Sequence, residues 1–142
     1  MTEELKKATL LLSEGNYTCV LLKGEECYTS EQRGVTPLLN FLESGRSFRD
    51  FCASDRVVGL GAAHLYLLLG IRELWAGVIS REAEALLQAN GVFVECAERV
   101  PYIINRKGNG RCPIESAVLD CPSSEDALQT IKDTLILLQR KK

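Results

Sequence analysis

The chain has 142 residues, 46% hydrophobic and 25% charged, with a formal net charge of −2. That length suits one ordinary domain, spanning residues 1–142, with a core large enough to need no metal or disulfide staple. No apolar run reaches the roughly 20 residues that cross a bilayer, and the charges alternate in sign without a basic stripe, so neither a membrane nor a nucleic-acid partner is expected.

The N-terminus, Met1-Thr-Glu-Glu-Leu-Lys-Lys, carries acids instead of a long apolar core, which argues against a secretory signal and for a cytoplasmic protein. In that setting the six cysteines are expected as reduced thiols. With no Cys-x-x-Cys pair and a single histidine, His64, the sequence offers no metal site, and no cofactor is expected.

Thr2 followed by acids, with Leu5, Ala8, Leu11 and Leu12 at helical spacing, predicts a capped amphipathic helix over residues 2–13. Residues 17–23 and 26–30 read as a hairpin turning at Gly24-Glu25. Thr36-Pro37 opens a short helix that Gly45 ends. Residues 48–53 read either as a third strand or as an irregular approach to the central helix.

That central helix is expected over residues 55–69. After Asp55 and Arg56 there is no charge before Gly70, so a helix here is apolar on every side and has to be enclosed by other elements. Asp55 is placed as its N-cap and Gly70 as its left-handed stop. Gly59, Gly61, Ala62 and Ala63 imply close approach to the helix backbone, by packing in preference to a ligand. Next, residues 73–80 make a strand apolar on both faces, Ser80 caps a helix over 81–89, and residues 92–98 make another strand. Strand, helix and strand with tight connections imply a right-handed parallel crossover and an α/β class. One more short strand is expected at 118–120. A final helix opens at the Ser123-Ser124 pair, with Ala127, Leu128, Ile131, Leu135 and Leu138 as its buried stripe.

Between these elements, residues 105–115 break all periodicity and gather Asn105, Arg106, Arg111, Cys112 and Glu115 around Gly108 and Gly110. Glycines let backbone N–H groups converge on an anion, and the arginines add charge. Arg111 beside Cys112 favours a thiolate, although no base accompanies it. Glu115 reads as an acid/base group or as a capping and salt-bridging residue, and His64 as a core histidine satisfied by a backbone carbonyl. The expected site lies where the start of the 55–69 helix, the end of the 73–80 strand and this loop converge, with Asp55 and Ser80 at its mouth and the loop arginines holding any anionic group.

The element order resembles the cytidine-deaminase-like fold. Arg33-Gly-Val-Thr-Pro-Leu-Leu, Asp55-Arg-Val-Val-Gly-Leu-Gly-Ala-Ala, Asn105-Arg and Gly110-Arg-Cys-Pro-Ile-Glu are similar to motifs of a family of small uncharacterised bacterial proteins placed in that fold. The resemblance implies a three-layer architecture, a mixed sheet and a central buried helix, and it brings no established activity. True deaminases open the central helix with His-x-Glu or Cys-x-Glu and the next with Pro-Cys-x-x-Cys to hold zinc; neither motif is present, so zinc-dependent deamination is rejected. Two readings remain. In the preferred one, Asp55, Ser80, Asn105, Arg106, Arg111 and Glu115 bind a small polar or nucleotide-like ligand; in the other, Cys112 is the reactive thiol of a zinc-independent enzyme or redox protein. A homodimer through a sheet edge or exposed helix is expected from general frequency alone.

Overall fold

The computed structural model describes residues 1–105 and 107–140. Helix α1 (Glu3–Glu14) starts where Thr2 accepts a hydrogen bond from the Leu5 N–H at 3.2 Å. At its other end the Arg56 guanidinium donates to the carbonyls of Leu12 and Gly15 at 2.8 and 3.2 Å, pairing acceptors that a helix end leaves free, and to the Tyr17 carbonyl just beyond at 2.7 Å. Strands β1 (Cys19–Lys23) and β2 (Glu26–Ser30) form the expected antiparallel hairpin. Helix α2 (Thr36–Glu43) begins with Pro37 in its first turn.

The rest of the chain runs through β3 (Cys52–Val58), α3 (Leu60–Leu69), β4 (Glu73–Ser80), α4 (Arg81–Ala89), β5 (Phe93–Val100), α5 (Pro113–Ala117) and α6 (Ser124–Arg140). From β3 to α5 it alternates strand and helix, and α6 follows α5 directly. The strands make one sheet in the order β2-β1-β3-β4-β5. Its β1 pairings are antiparallel and the β3-β4-β5 half is parallel, as the two tight crossovers require.

Strand alternation divides the interior. Val20 and Leu22 of β1 pack with Ala8 and Leu12 of α1 on one face, whereas Cys19 and Leu21 join the larger core formed with α3 and α4 on the other. Helix α3 touches α2, α4, α5 and α6 as well as β3, which explains a helix with no polar face. Its Leu65 and Tyr66 are fully buried, each worth about 1.5–3 kcal/mol as an upper bound. The small residues serve packing, as expected: a Cβ on Gly61 would lie 2.6 Å from Ile114 Cγ2. Gly70, at φ 80°, closes α3 in the left-handed conformation.

Two expectations change and one open alternative is decided. Asp55 does not cap α3; it lies inside β3, opposite Cys19 of β1 and Ala76 of β4, and Gly59 stands at the cap position. The reason is the strand register, which sets the Asp55 carboxylate against Tyr66. The ambiguous segment before it is irregular up to Cys52, with Phe48 and Phe51 buried in an aromatic cluster beside Tyr28 and Phe41. Residues 118–120 form a turn, not a strand, because the Leu119 N–H bonds back to Ser116 and the Cys121 N–H to Val118. Among the described residues no helix is long and apolar enough to cross a membrane, and all six cysteines are free thiols.

Candidate functional site: a sealed carboxylate junction and an open histidine cavity

The point where β3 and β4 end and α3 and α4 begin does attract an anion, and the anion is the protein's own. Glu115, on the first turn of α5, is 2% exposed. Its Oε2 accepts from the Leu60 N–H at 2.8 Å and from the Ser80 hydroxyl at 2.5 Å, and its Oε1 accepts from the Ile103 N–H at 2.6 Å. Ser80 meanwhile accepts from the Ala83 N–H at 3.3 Å, capping α4. One carboxylate therefore joins the openings of both helices to the segment after β5. Gly59 makes room for it, since a Cβ there would sit 3.2 Å from Oε2. Free N–H groups and the helix dipole favour negative charge at this place.

The other loop residues turn to different tasks. Asn105 holds the turn itself: its N–H donates to the Gly110 carbonyl at 2.8 Å and its side chain pairs with Asn109 at 3.0 and 3.2 Å. The Arg111 guanidinium lies 4.4 Å above the Tyr102 ring, an exposed cation–π contact. Cys112 is half-buried, and its backbone N–H donates to the Ile103 carbonyl at 2.8 Å. Arg106 lies outside the described residues. Ser80 and Glu115 are thus brought together, while Asp55 is set apart. It pairs with Ala76, four residues before Ser80 on the neighbouring strand, a separation of about 13 Å at the usual strand rise.

Asp55 belongs instead to a second polar junction, half-buried itself against the buried Tyr66 and Cys19. Its Oδ2 accepts from the Tyr66 hydroxyl at 2.6 Å, and the Tyr66 oxygen lies 3.2 Å from Cys19 Sγ. Burial pushes the Asp55 carboxyl up to about 6, against hydrogen bonds that pull it down, and drives Tyr66 and Cys19 well above their ordinary values.

The open concavity of this half of the molecule lies along α3. A cavity of about 430 Å³ is lined by Leu60, His64 and Leu67 of α3, Glu82 and Leu86 of α4, and Ser124 at the start of α6, with Leu119 and Cys121 on the connecting turn. Its volume falls in the range of small-ligand pockets. His64 is 5% exposed, and its Nδ1 lies 3.0 Å from Ser124 Oγ, so a hydroxyl replaces the backbone carbonyl expected as its partner. Burial lowers the His64 pKa and keeps the ring neutral at pH 7. Nε2 makes no hydrogen bond among the described residues, yet no buried nitrogen or oxygen there lacks a partner, so this atom reaches the cavity.

A second cavity, about 490 Å³, opens at the opposite end of α3 between Arg46, Phe48, Arg49 and Gly70. Its Arg46 is committed elsewhere, donating to the Tyr28 hydroxyl at 3.1 Å. Cys112 lines neither cavity. Reasoning from sequence missed Ser124 as the partner of His64 because the two are 60 residues apart; the doubled serine before α6 was the available signal.

No curated protein matches the chain. Among solved structures it is similar to a DUF1893 family protein, TM1506, from Thermotoga maritima, with a TM-score of 0.82 and 22% identity over 95% of this chain and 90% of that one. The family model described as a domain of unknown function, DUF1893, matches residues 7–135. The chain belongs to the DUF1893 family.

Proposed function

We propose that this chain is a small-ligand-binding domain built on a cytidine-deaminase-like plan without a metal centre, and that its ligand is an uncharged molecule with a polar edge, of the nucleobase or nucleoside class. The order β2-β1-β3-β4-β5, with α3 and α4 following the parallel strands β3 and β4, supports the architectural part. In zinc deaminases the openings of two such helices carry the metal ligands. Here those openings offer Gly59, Leu60, Ser80 and Arg81, and Glu115 fills the space between them, a donor set with neither histidine nor thiolate that does not fit zinc.

The observation that carries the ligand reading is His64: a nearly buried, neutral imidazole with one nitrogen bonded to Ser124 and the other open to a cavity of about 430 Å³. Leu60, Leu67, Leu86 and Leu119 supply apolar walls, and among the described residues neither Lys nor Arg lines the cavity, whereas Glu82 does. An anion is disfavoured there, so a phosphate or carboxylate ligand is the wrong class. Thermal unfolding against uncharged nucleobases and nucleosides, and against the corresponding monophosphates, tests this. An uncharged compound at 100 times its Kd adds about 2.7 kcal/mol, and His64→Ala removes that gain. Binding that prefers the monophosphates, or that survives His64→Ala and disappears with Arg111→Ala, overturns the reading.

A further inference from the structure

The start of α6 carries two serines, and only one is used as a cap. Ser123 Oγ accepts from the Asp126 N–H at 3.1 Å and donates to the Asp126 carboxylate at 3.0 Å, while the Ser123 carbonyl accepts from the Ala127 N–H at 3.0 Å. That satisfies the helix start in the usual way. The Ser124 hydroxyl is left over. Its one hydrogen-bond partner among the described residues is His64 Nδ1, at 3.0 Å, on the wall of the 430 Å³ cavity that Ser124 also lines.

We propose that Ser124 is a nucleophile toward small carboxylic esters, with His64 as its general base and the first turn of α6 as the oxyanion site. The inference rests on the cavity being a ligand site, and it adds chemistry to binding. A serine hydroxyl becomes a useful nucleophile when a neutral base is within hydrogen-bond reach. The Ser124 and Glu125 N–H groups have no acceptor among the described residues, being in the first turn of a 17-residue helix, and they lie beside the hydroxyl that would attack. Glu125 and Asp126 are exposed, so their charges are screened by solvent.

The step balances with ester and water alone. As Ser124 Oγ bonds to the carbonyl carbon, its proton passes to His64 Nδ1 and the carbonyl oxygen becomes an alkoxide held by the free N–H groups. Collapse breaks the ester C–O bond, and the departing oxygen takes the proton from His64 to leave as an alcohol. Water then gives a proton to the same imidazole as it attacks acyl-Ser124; the C–Oγ bond breaks, Ser124 Oγ takes that proton back from His64, and the acid leaves. The apolar walls, with no cationic side chain among the described lining residues, suit a short uncharged acyl group.

The test is covalent labelling of the full chain with an alkyl fluorophosphonate, read by intact mass and peptide mapping, alongside hydrolysis of p-nitrophenyl acetate and butyrate. One label per chain is expected, mapped to Ser124, with loss of fluoride. Ser124→Ala abolishes it, and His64→Gln slows it at least 100-fold, the lower bound for losing a general base. Mapping in the unmodified protein needs no variant to fold. Absence of labelling, labelling at another residue, or a rate unchanged in His64→Gln overturns the proposal. If the nucleoside panel still shifts unfolding while Ser124 stays unlabelled, the nucleophile fails and the binding reading stands; if Ser124 labels but no uncharged ligand binds, the ligand class fails instead.

Discussion

The two regions flanking the start of α3 use similar polar chemistry to opposite ends. At the Glu115 junction each carboxylate oxygen has a donor, Oε2 two of them, and the residue is 2% exposed. On the adjacent face, His64 is nearly as buried, at 5%, but keeps one ring nitrogen open to a cavity. Burial alone therefore does not distinguish a structural polar group from a functional one. What differs is satisfaction: a closed hydrogen-bond set fixes the fold, and a buried group with unused capacity is where a ligand can gain an interaction.

The largest effect expected from breaking this contrast is at the junction. Glu115→Ala leaves the Leu60 and Ile103 N–H groups and the Ser80 hydroxyl without their acceptor, and should cost about 3–5 kcal/mol, given roughly 1–3 for each buried donor left unpaired and partial relaxation by water. Urea unfolding measures it. A loss below about 1 kcal/mol, the low end for a single unpaired donor, would make the junction a site and not a staple.

Asp55 sharpens the contrast because it is half-buried and held in part. Its folded pKa, about 6, stands above the ordinary 3.8, so the folded state binds the proton more tightly. The stability linked to that proton is fully present below pH 3.8 and is lost as pH rises through 6. At about 1.36 kcal/mol per pH unit the gap amounts to at most about 3 kcal/mol, and the partial exposure of Asp55 reduces this to about 1–2. Asp55→Asn, which can still accept from Tyr66, should raise stability by that amount at pH 7 and by nothing near the ordinary carboxylate pKa of 3.8, as followed by unfolding across this range. Equal changes at both pH values would contradict the assignment.

Two smaller effects complete the series. Gly61→Ala gains about 1 kcal/mol of helix propensity but drives a methyl group to 2.6 Å from Ile114 Cγ2, so a net loss of about 1 kcal/mol is expected in thermal unfolding. Arg111→Ala removes one exposed stacking contact with Tyr102 and should cost about 0.5 kcal/mol without changing ligand binding.

The chain is most legible from its sequence where start and stop signals are local. Ser80 caps α4 through its own side chain, and Gly70 ends α3 through its own φ, so both boundaries can be read directly. The beginning of α3 cannot. An Asp before an apolar run imitates a cap, but β3 and α3 succeed each other without a polar break, and the side chain that does satisfy the Leu60 N–H comes from Glu115, 55 residues away. A similar distance in sequence hides the pairing of His64 with Ser124. The loop of residues 105–115 looks like a site because its composition is polar; the structure shows Asn105 bracing the turn, Arg111 stacked on Tyr102 and Glu115 turned inward. Composition locates chemically capable residues, and only the partners decide which capacity remains free.

The most direct test of an open His64 beside a sealed Glu115 is backbone and imidazole nitrogen NMR on the labelled protein, titrated with uncharged nucleobases and nucleosides. The predicted result is a set of shifts centred on His64 Nε2, Leu119 and Ser124, with Leu60, His64 and Ser124 amides changing together and the Asn105 and Cys112 amides unmoved. Shifts centred on Arg111, Cys112 and Asn105, with His64 unperturbed, would contradict it.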